Sequence, residues 1–154
     1  MKIIITFLLI SLSVFSQQSK KPYPKQIESE IWLNKYRALE SDSERISEIK
    51  NKIYSDTLYY NYKKSIILDN PRNPEKRICK VLFVINFKDE YFDIDLLQSP
   101  KLLKVMRKIN LNNIKSMKIL ENPENVMYFG SGGVCGVIII KCNKRLYRKI
   151  KNVL

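Results

Sequence analysis

Residues 129–137 read Phe-Gly-Ser-Gly-Gly-Val-Cys-Gly-Val and contain all four glycines of the 154-residue chain. Glycine adopts positive φ, or lets a second backbone approach closely, without steric cost. The run that follows, Val137-Ile-Ile-Ile-Lys141, is apolar and typical of a buried strand. This stretch therefore predicts a tight turn that leads directly into a strand of the core.

Two more segments upstream of the turn predict strands. Residues 79–87 hold an unbroken apolar run, which is typical of a strand covered on both faces. Residues 88–90 predict a turn into a short partner strand at residues 91–94. Residues 114–120 alternate well enough to predict a third strand before the glycine turn.

Two dipeptides, each a capping residue followed by proline, predict helix starts between these strands. Ser99-Pro100 places a capping residue before a proline at the first helical position, and Asn122-Pro123 repeats the arrangement for a short helix that ends by Tyr128 or Phe129. The first of these helices has a predicted apolar face of Leu102, Leu103, Met106 and Ile109. Together with the strands, the order predicts an α+β fold with a single small mixed sheet.

A helical pair precedes this α+β region, at residues 26–62. In the first helix, one broad apolar face is predicted from Ile27, Ile31, Trp32, Tyr36 and Leu39. Ser41 and Glu44 have the spacing of a capping box for the second helix, whose predicted core stripe is Ile46, Ile49 and Ile53. We interpret both stripes as core.

The chain divides into four parts on this interpretation. Residues 1–16 have a basic start, a short apolar run and a small residue before the cut, and they predict a cleaved signal peptide. Residues 17–25 predict a flexible lead, residues 26–62 the helical segment, and residues 63–154 the α+β domain with a basic C-terminal tail. Within that domain Ser65–Leu68 predicts a short strand, and residues 69–74 predict a loop.

The charge is strongly positive, with 28 Lys and Arg against 15 Asp and Glu, a formal net charge of +13. Such a field favours anionic partners, of which an anionic membrane surface is the more economical for an exported chain and nucleic acid the less so. The candidate contacts lie near the C-terminus: Lys144, Arg145, Arg148 and Lys149. A solvated tail explains the same residues without any ligand.

The three cysteines, Cys79, Cys135 and Cys142, leave at least one thiol unpaired in a monomer. If residues 135–142 are extended, the Cα atoms of Cys135 and Cys142 lie about 20 Å apart, beyond disulfide reach. Any bridge therefore joins Cys79 to one of the other two, and Cys79 with Cys142 is the candidate pair. Three buried thiols that act as small hydrophobic groups are an equal alternative.

The amino-acid composition and the order of the predicted elements exclude several kinds of catalytic site. The absence of histidine excludes nucleophile–histidine pairs and most zinc sites. A phosphate-binding loop runs from strand to glycine loop to helix, whereas here a helix precedes the glycines and a strand follows them. The carboxylates Asp89, Glu90, Asp93 and Asp95 are interpreted as a solvated hairpin tip. We predict no catalytic residue, metal site or cofactor.

Residues 81–142 resemble the plug domain of TonB-dependent outer-membrane receptors, in particular the SusC-like branch. In that family a strand of the type I-E-S-I-E-V-L leads through a short helix to Y-G-S-R-G-A-N-G-V-I. Ile114–Leu120 matches that strand, and Gly130, Ser131, Gly133 and Gly136 match positions of the turn. Upstream, Val81–Asn86 is similar to the family strand L-Y-V-I-D-G.

The chain departs from the family pattern at several of these positions. Gly132 replaces the arginine of the turn, Cys135 replaces its asparagine, and Lys141-Cys142 replaces the usual threonines. The chain also ends 12 residues after Cys142, where a receptor begins its β-barrel. The resemblance thus implies a plug-like fold, with a structural turn at residues 130–136, and an envelope location, but no transport.

These features predict a non-catalytic exported protein, in the periplasm, associated with the outer membrane, or secreted. It acts as a binding or interaction module whose partner is an outer-membrane receptor, a TonB-type protein or a surface glycan. The alternatives are a truncated or degenerate receptor fragment and a basic secreted effector that binds anionic membrane or nucleic acid.

Overall fold

A computed structural model describes residues 24–58 and 79–154 of the chain. The predicted signal peptide, most of the lead, the end of the helical segment, the strand at residues 65–68 and the loop at residues 69–74 lie outside the described residues.

The described residues form an α+β fold, as the sequence predicted. Five α-helices accompany a single four-stranded mixed sheet in this part of the chain. The helices are α1 (Gln26–Arg37), α2 (Asp42–Asp56), α3 (Leu103–Met106), α4 (Glu124–Phe129) and α5 (Lys144–Lys151). The strands are β1 (Leu82–Phe87), β2 (Glu90–Asp93), β3 (Ile114–Leu120) and β4 (Val137–Cys142).

The sheet has the order β2-β1-β4-β3. The hairpin β1–β2 is antiparallel, β1 and β4 are parallel, and β3 pairs antiparallel with β4 along the other edge. Because β1 and β4 run in the same direction, the residues that precede each of them lie at the same end of the sheet. This end carries the glycine turn.

The two central strands are apolar because both of their faces are buried. Phe83, Ile85, Ile138 and Ile140 lie in the main core with residues of α1, α2, α3 and α5. On the opposite face, Val84 and Val137 form a smaller cluster with Leu120, and Phe129 packs against it. The unbroken apolar pattern of β1 and β4 follows from this two-sided burial.

The predicted apolar face of α1 is wrong for Ile27 and Ile31. Ile31 is 63% exposed, and the buried side chains of α1 are Ser29, Leu33 and Tyr36. The hydroxyl of Ser29 donates a hydrogen bond to the carbonyl oxygen of Cys79 at 2.9 Å, so burial leaves it satisfied. The helix is therefore turned so that Leu33 and Tyr36 cover the sheet, and Ile27 and Ile31 lie on its outer face.

The predictions for α2 are confirmed. Its core stripe of Ile46, Ile49 and Ile53 is buried. The backbone N–H of Glu44 donates to the Ser41 hydroxyl at 3.1 Å, and the N–H of Ser41 donates to the Glu44 carboxylate at 3.4 Å, which completes the capping box. These stripe residues join the same cluster as β1 and β4, so the helical pair and the sheet share one core.

The helix predicted after Ser99-Pro100 forms only in part. Residues Pro100–Leu102 are a 3-10 turn, which continues into the single turn of α3, and the Ser99 side chain makes no capping hydrogen bond. Leu102 and Val105, three residues apart, lie on the same buried face. Val105 is therefore buried, and Leu103, predicted as core, is 53% exposed.

The short helix before the glycine turn ends at Phe129, as predicted, but it starts one residue later than the cap-then-proline pattern implies. Pro123 occupies the N-cap position, and α4 begins at Glu124. Asn122 therefore lies one position before the N-cap, and no side-chain hydrogen bond caps the helix.

Candidate interaction surface

The glycine turn contains two positions that require glycine for conformational reasons. Gly130, which ends α4, has φ 57° and ψ −141°, and Gly136, which precedes β4, has φ 99°. A side chain is strained at such angles. Between them, Gly130–Gly133 form a 3-10 turn that redirects the chain from α4 towards β4.

Close packing explains a third glycine of the turn. A Cβ atom at Gly133 would overlap the backbone carbonyl of Asn125, and one at Gly136 would overlap the side chain of Leu33 on α1. The amide of Asn125, itself buried, donates to the carbonyl oxygen of Gly133 at 3.2 Å. By contrast, a Cβ at Gly132 meets nothing within 4 Å, so this glycine has no packing role.

A disulfide joins Cys79 to Cys135, with Cα atoms 5.6 Å apart. The predicted pairing of Cys79 with Cys142 is wrong because Cys142 lies at the far end of β4. Cys79 and Cys135 instead precede the parallel strands β1 and β4, whose first residues, Leu82 and Val137, are register partners. Cys142 is a free, buried thiol, and burial raises its pKa.

Three contacts hold the glycine turn to the start of β1 and to α1. The disulfide connects the turn to the start of β1, and the N–H of Cys79 donates to the carbonyl oxygen of Pro24 at 2.9 Å, just before α1. Leu33 of α1 packs against Gly136. The turn therefore forms a rigid frame for α4.

Three consecutive apolar side chains project from this frame into solvent. Val126 is exposed, Met127 is 77% exposed and Tyr128 is 74% exposed. We call Val126, Met127 and Tyr128 the α4 surface. Isolated exposed apolar residues are ordinary, but three in succession on one short helix make this surface a candidate contact site. The sequence contains one signal for this exposure, because a helix of one and a half turns has too little buried face to cover all its apolar residues.

The predicted basic contacts lie on α5, at the opposite end of β4. Lys144, Arg145 and Arg148 are exposed, and Lys149 is half-buried. Leu146 and Ile150 fix the helix to the core, and the Asn143 side chain caps it by accepting from the N–H of Leu146 at 2.9 Å. The helix contains no acidic residue. The tail is therefore an ordered basic helix.

Three of the four hairpin carboxylates, Asp89, Glu90 and Asp93, are exposed, as the interpretation of a solvated tip implies, and Asp95 is the exception. Glu90 accepts hydrogen bonds from the Tyr147 hydroxyl at 2.5 Å and the Lys151 ammonium at 3.4 Å, and the Tyr147 bond is the main reason that the pKa of Glu90 is lowered. Asp93 is partly desolvated, which with the nearby charge of Asp95 raises its pKa. Asp89 lies in the turn itself.

Asp95 forms one of two neighbouring ion pairs that follow the hairpin. Its carboxylate contacts the Lys80 ammonium at 2.6 Å and accepts from the N–H of Leu97 at 2.9 Å. Burial alone would raise the pKa of Asp95, but the hydrogen bond and charge of Lys80 outweigh it and the pKa is lowered. Nearby, Lys52 and Asp56 on α2 form a buried pair at 2.5 Å, and burial raises the pKa of Asp56.

Within residues 24–58 and 79–154, no group of three or more histidine, cysteine, aspartate or glutamate side chains is placed to hold a metal ion. In the same residues, no helix combines the length and apolar character needed to cross a membrane. No family model, curated protein or solved structure matches the chain.

Proposed function

We propose that this chain is a non-catalytic, exported envelope protein whose plug-like domain binds a partner protein through the α4 surface. The observation that carries the proposal is the pair Met127 and Tyr128, each about three-quarters exposed on a rigid frame. A preordered apolar contact loses little conformational entropy on binding. An outer-membrane receptor or a TonB-type protein is the proposed partner, and a surface glycan is the less favoured one because the exposed group is mainly apolar.

The disulfide supports an exported location. Disulfides persist in oxidising compartments such as the periplasm and are rare in the cytosol. The bridge between Cys79 and Cys135 closes a separation of 56 residues and holds the turn on which the proposed contact depends. An oxidising compartment is therefore where the α4 surface would keep its shape.

The plug resemblance and the α4 surface point to the same region. The family motif covers β3, the short helix and the turn, and the apolar group lies within this span, on α4. We propose that the domain uses this part of the plug-like fold for protein contact. A truncated or degenerate receptor fragment remains the alternative, and the core shared by α1, α2 and the sheet favours an independently folding module.

Site-specific photocrosslinking in the native envelope tests the proposed contact. A photoreactive phenylalanine analogue at Met127 or Tyr128 should capture one receptor or TonB-type protein, identified by mass spectrometry. The same analogue at Leu103, which is 53% exposed on α3, is the matched control and should not capture it. Equal capture from Leu103, or no adduct from Met127 and Tyr128, would refute the α4 contact.

A charge variant separates specific docking from general exposure. Met127→Asp should abolish co-purification of the captured partner, because burying an unpaired carboxylate is costly, whereas Leu103→Asp should leave it unchanged. Both positions are exposed, so neither variant should change the free energy of unfolding by more than about 0.5 kcal/mol. If the partner co-purifies equally with both variants, another surface holds it.

A second function is favoured by α5. Five of its eight residues are basic, none is acidic, and its apolar side is fixed to the core. This helix would lie on an anionic membrane surface without insertion. Binding to vesicles containing phosphatidylglycerol should then fall steeply with salt and with a triple change of Lys144, Arg145 and Arg148 to glutamine. Binding that is insensitive to salt would refute this function.

A further inference from the structure

The outer side of residues 100–111, which include α3, is mainly basic. We call residues 100–111 the α3 segment. Its side chains that pack into the core are Leu102, Val105, Met106 and Ile109. Its exposed cations are Lys101, Lys104, Arg107 and Lys108. No aspartate or glutamate occurs in the sequence between residues 96 and 120, so this part of the surface carries uncompensated positive charge.

These four cations form no ion pair with any residue that the structure describes. The exposed cations of α1 differ, because Lys35 and Arg37 contact carboxylates at 3.2 and 3.0 Å. Lys104 lies three residues after Lys101 and four before Lys108, and like charges at these spacings repel each other. An anionic partner would relieve this repulsion.

The basic helix α5 lies beside the α3 segment. α3 contacts α5, and Ile150 of α5 lines the same small cavity as Leu102 and Val105. Because the two elements cover the same part of the core, their outer sides face the same region of solvent. The cations of the α3 segment and the exposed cations of α5 therefore form one basic surface.

Two exposed leucines accompany these cations. Leu103 is 53% exposed beside Lys104, and Leu111 is 56% exposed at the end of the segment. A nucleic acid would satisfy the cations, but the α3 segment contains no aromatic ring on which a base could stack. An anionic bilayer offers phosphate groups to the cations and an apolar layer to the leucines. The combination of charge and leucine therefore favours a lipid surface.

We propose that the α3 segment binds the surface of an anionic lipid bilayer beside α5, with Leu103 and Leu111 inserted below the level of the phosphate groups. The four cations of the segment contact those phosphates. This inference rests on the membrane function proposed for α5 and deepens it. It adds an apolar contact that α5 cannot make, because Leu146 and Ile150 of α5 are buried in the core.

Co-sedimentation of the full mature chain with lipid vesicles tests this assignment. Vesicles of an equal mixture of phosphatidylcholine and phosphatidylglycerol should bind the chain, and vesicles of phosphatidylcholine alone should not. Lys104→Gln with Lys108→Gln should weaken binding about 25-fold, because each basic residue near an anionic surface contributes about fivefold. Leu103→Ser with Leu111→Ser should weaken it about tenfold without changing its dependence on salt.

Two double variants on α1 are the matched controls. Lys35→Gln with Arg37→Gln removes the same charge, and Ile27→Ser with Ile31→Ser removes exposed apolar side chains from the outer face of α1. Neither should weaken binding more than about twofold, because neither lies on the proposed surface. All the changed side chains are exposed, so every variant should keep the circular dichroism spectrum of the wild-type chain.

Three results would overturn the proposal: equal weakening by the two charge variants, wild-type binding by the variant with both leucines changed, or tighter binding of the chain to duplex DNA than to these vesicles. The glutamine variant of α5 separates this proposal from the function of α5. If that variant alone loses binding, the α5 function stands and the α3 contact is refuted. If only the α3 variants lose binding, the role of α5 is refuted and the α3 contact stands.

Discussion

Removal of the disulfide should cost this protein a large part of its stability. The perturbation is the double variant Cys79→Ala with Cys135→Ala. In the chain-entropy model, a bridge between residues 56 apart stabilises the native state by about 4 kcal/mol. For a domain of this size, that loss lowers the Tm by on the order of 10–20 °C.

Equilibrium unfolding in urea, followed by circular dichroism, measures the loss. Cys142→Ala is the control, because it removes a buried thiol outside the bridge and should cost about 1 kcal/mol. A reductant should destabilise the wild-type chain and the Cys142→Ala variant alike and leave the double variant unchanged. Thiol titration of the unfolded, unreduced chain should find one free thiol.

Two results would refute this reasoning. One is a double variant whose free energy of unfolding lies within about 1 kcal/mol of the wild-type value, which would mean that the bridge contributes little. The other is a peptide map in which Cys79 is linked to Cys142, which would contradict the placement of the two bridged cysteines at the start of parallel strands.

Three further changes test the frame and its charges. Gly136→Ala should cost about 2–4 kcal/mol in urea unfolding, from strain at positive φ and overlap with Leu33, whereas Gly132→Ala should change little; equal costs would contradict the assigned roles. Asp95→Asn should cost about 1–2 kcal/mol at pH 7. Because the folded pKa of Asp95 is lowered, its contribution is present above the unfolded pKa and is lost as pH falls through the folded pKa, so the cost should shrink towards pH 3; a constant cost would exclude this ion pair. Asn143→Ala should cost about 1 kcal/mol and speed amide exchange in α5, and unchanged exchange would mean that the cap is not needed.

The α4 surface and the basic helix α5 lie at opposite ends of β4. The first joins exposed apolar side chains to the disulfide-held turn. The second presents basic side chains on a helix whose apolar side is fixed to the core.

The local sequence pattern was sufficient to predict those features that depend on residues close together in the sequence. The capping box of Ser41 and Glu44, the stripe of α2 and the two-sided burial of β1 and β4 are confirmed. Each depends on backbone periodicity or on contacts between residues three or four apart. The concentration of glycine likewise predicted a tight turn into a strand, and the α+β class followed from the order of elements.

The tertiary structure alone decided which surfaces meet. Whether α1 buries Leu33 or Ile31 depends on the sheet beneath it, and both choices satisfy helical spacing. Cys79 pairs with Cys135 because β1 and β4 run parallel, a fact that no local pattern contains. Sequence periodicity sets how a segment folds, but burial is a property of the contact between segments.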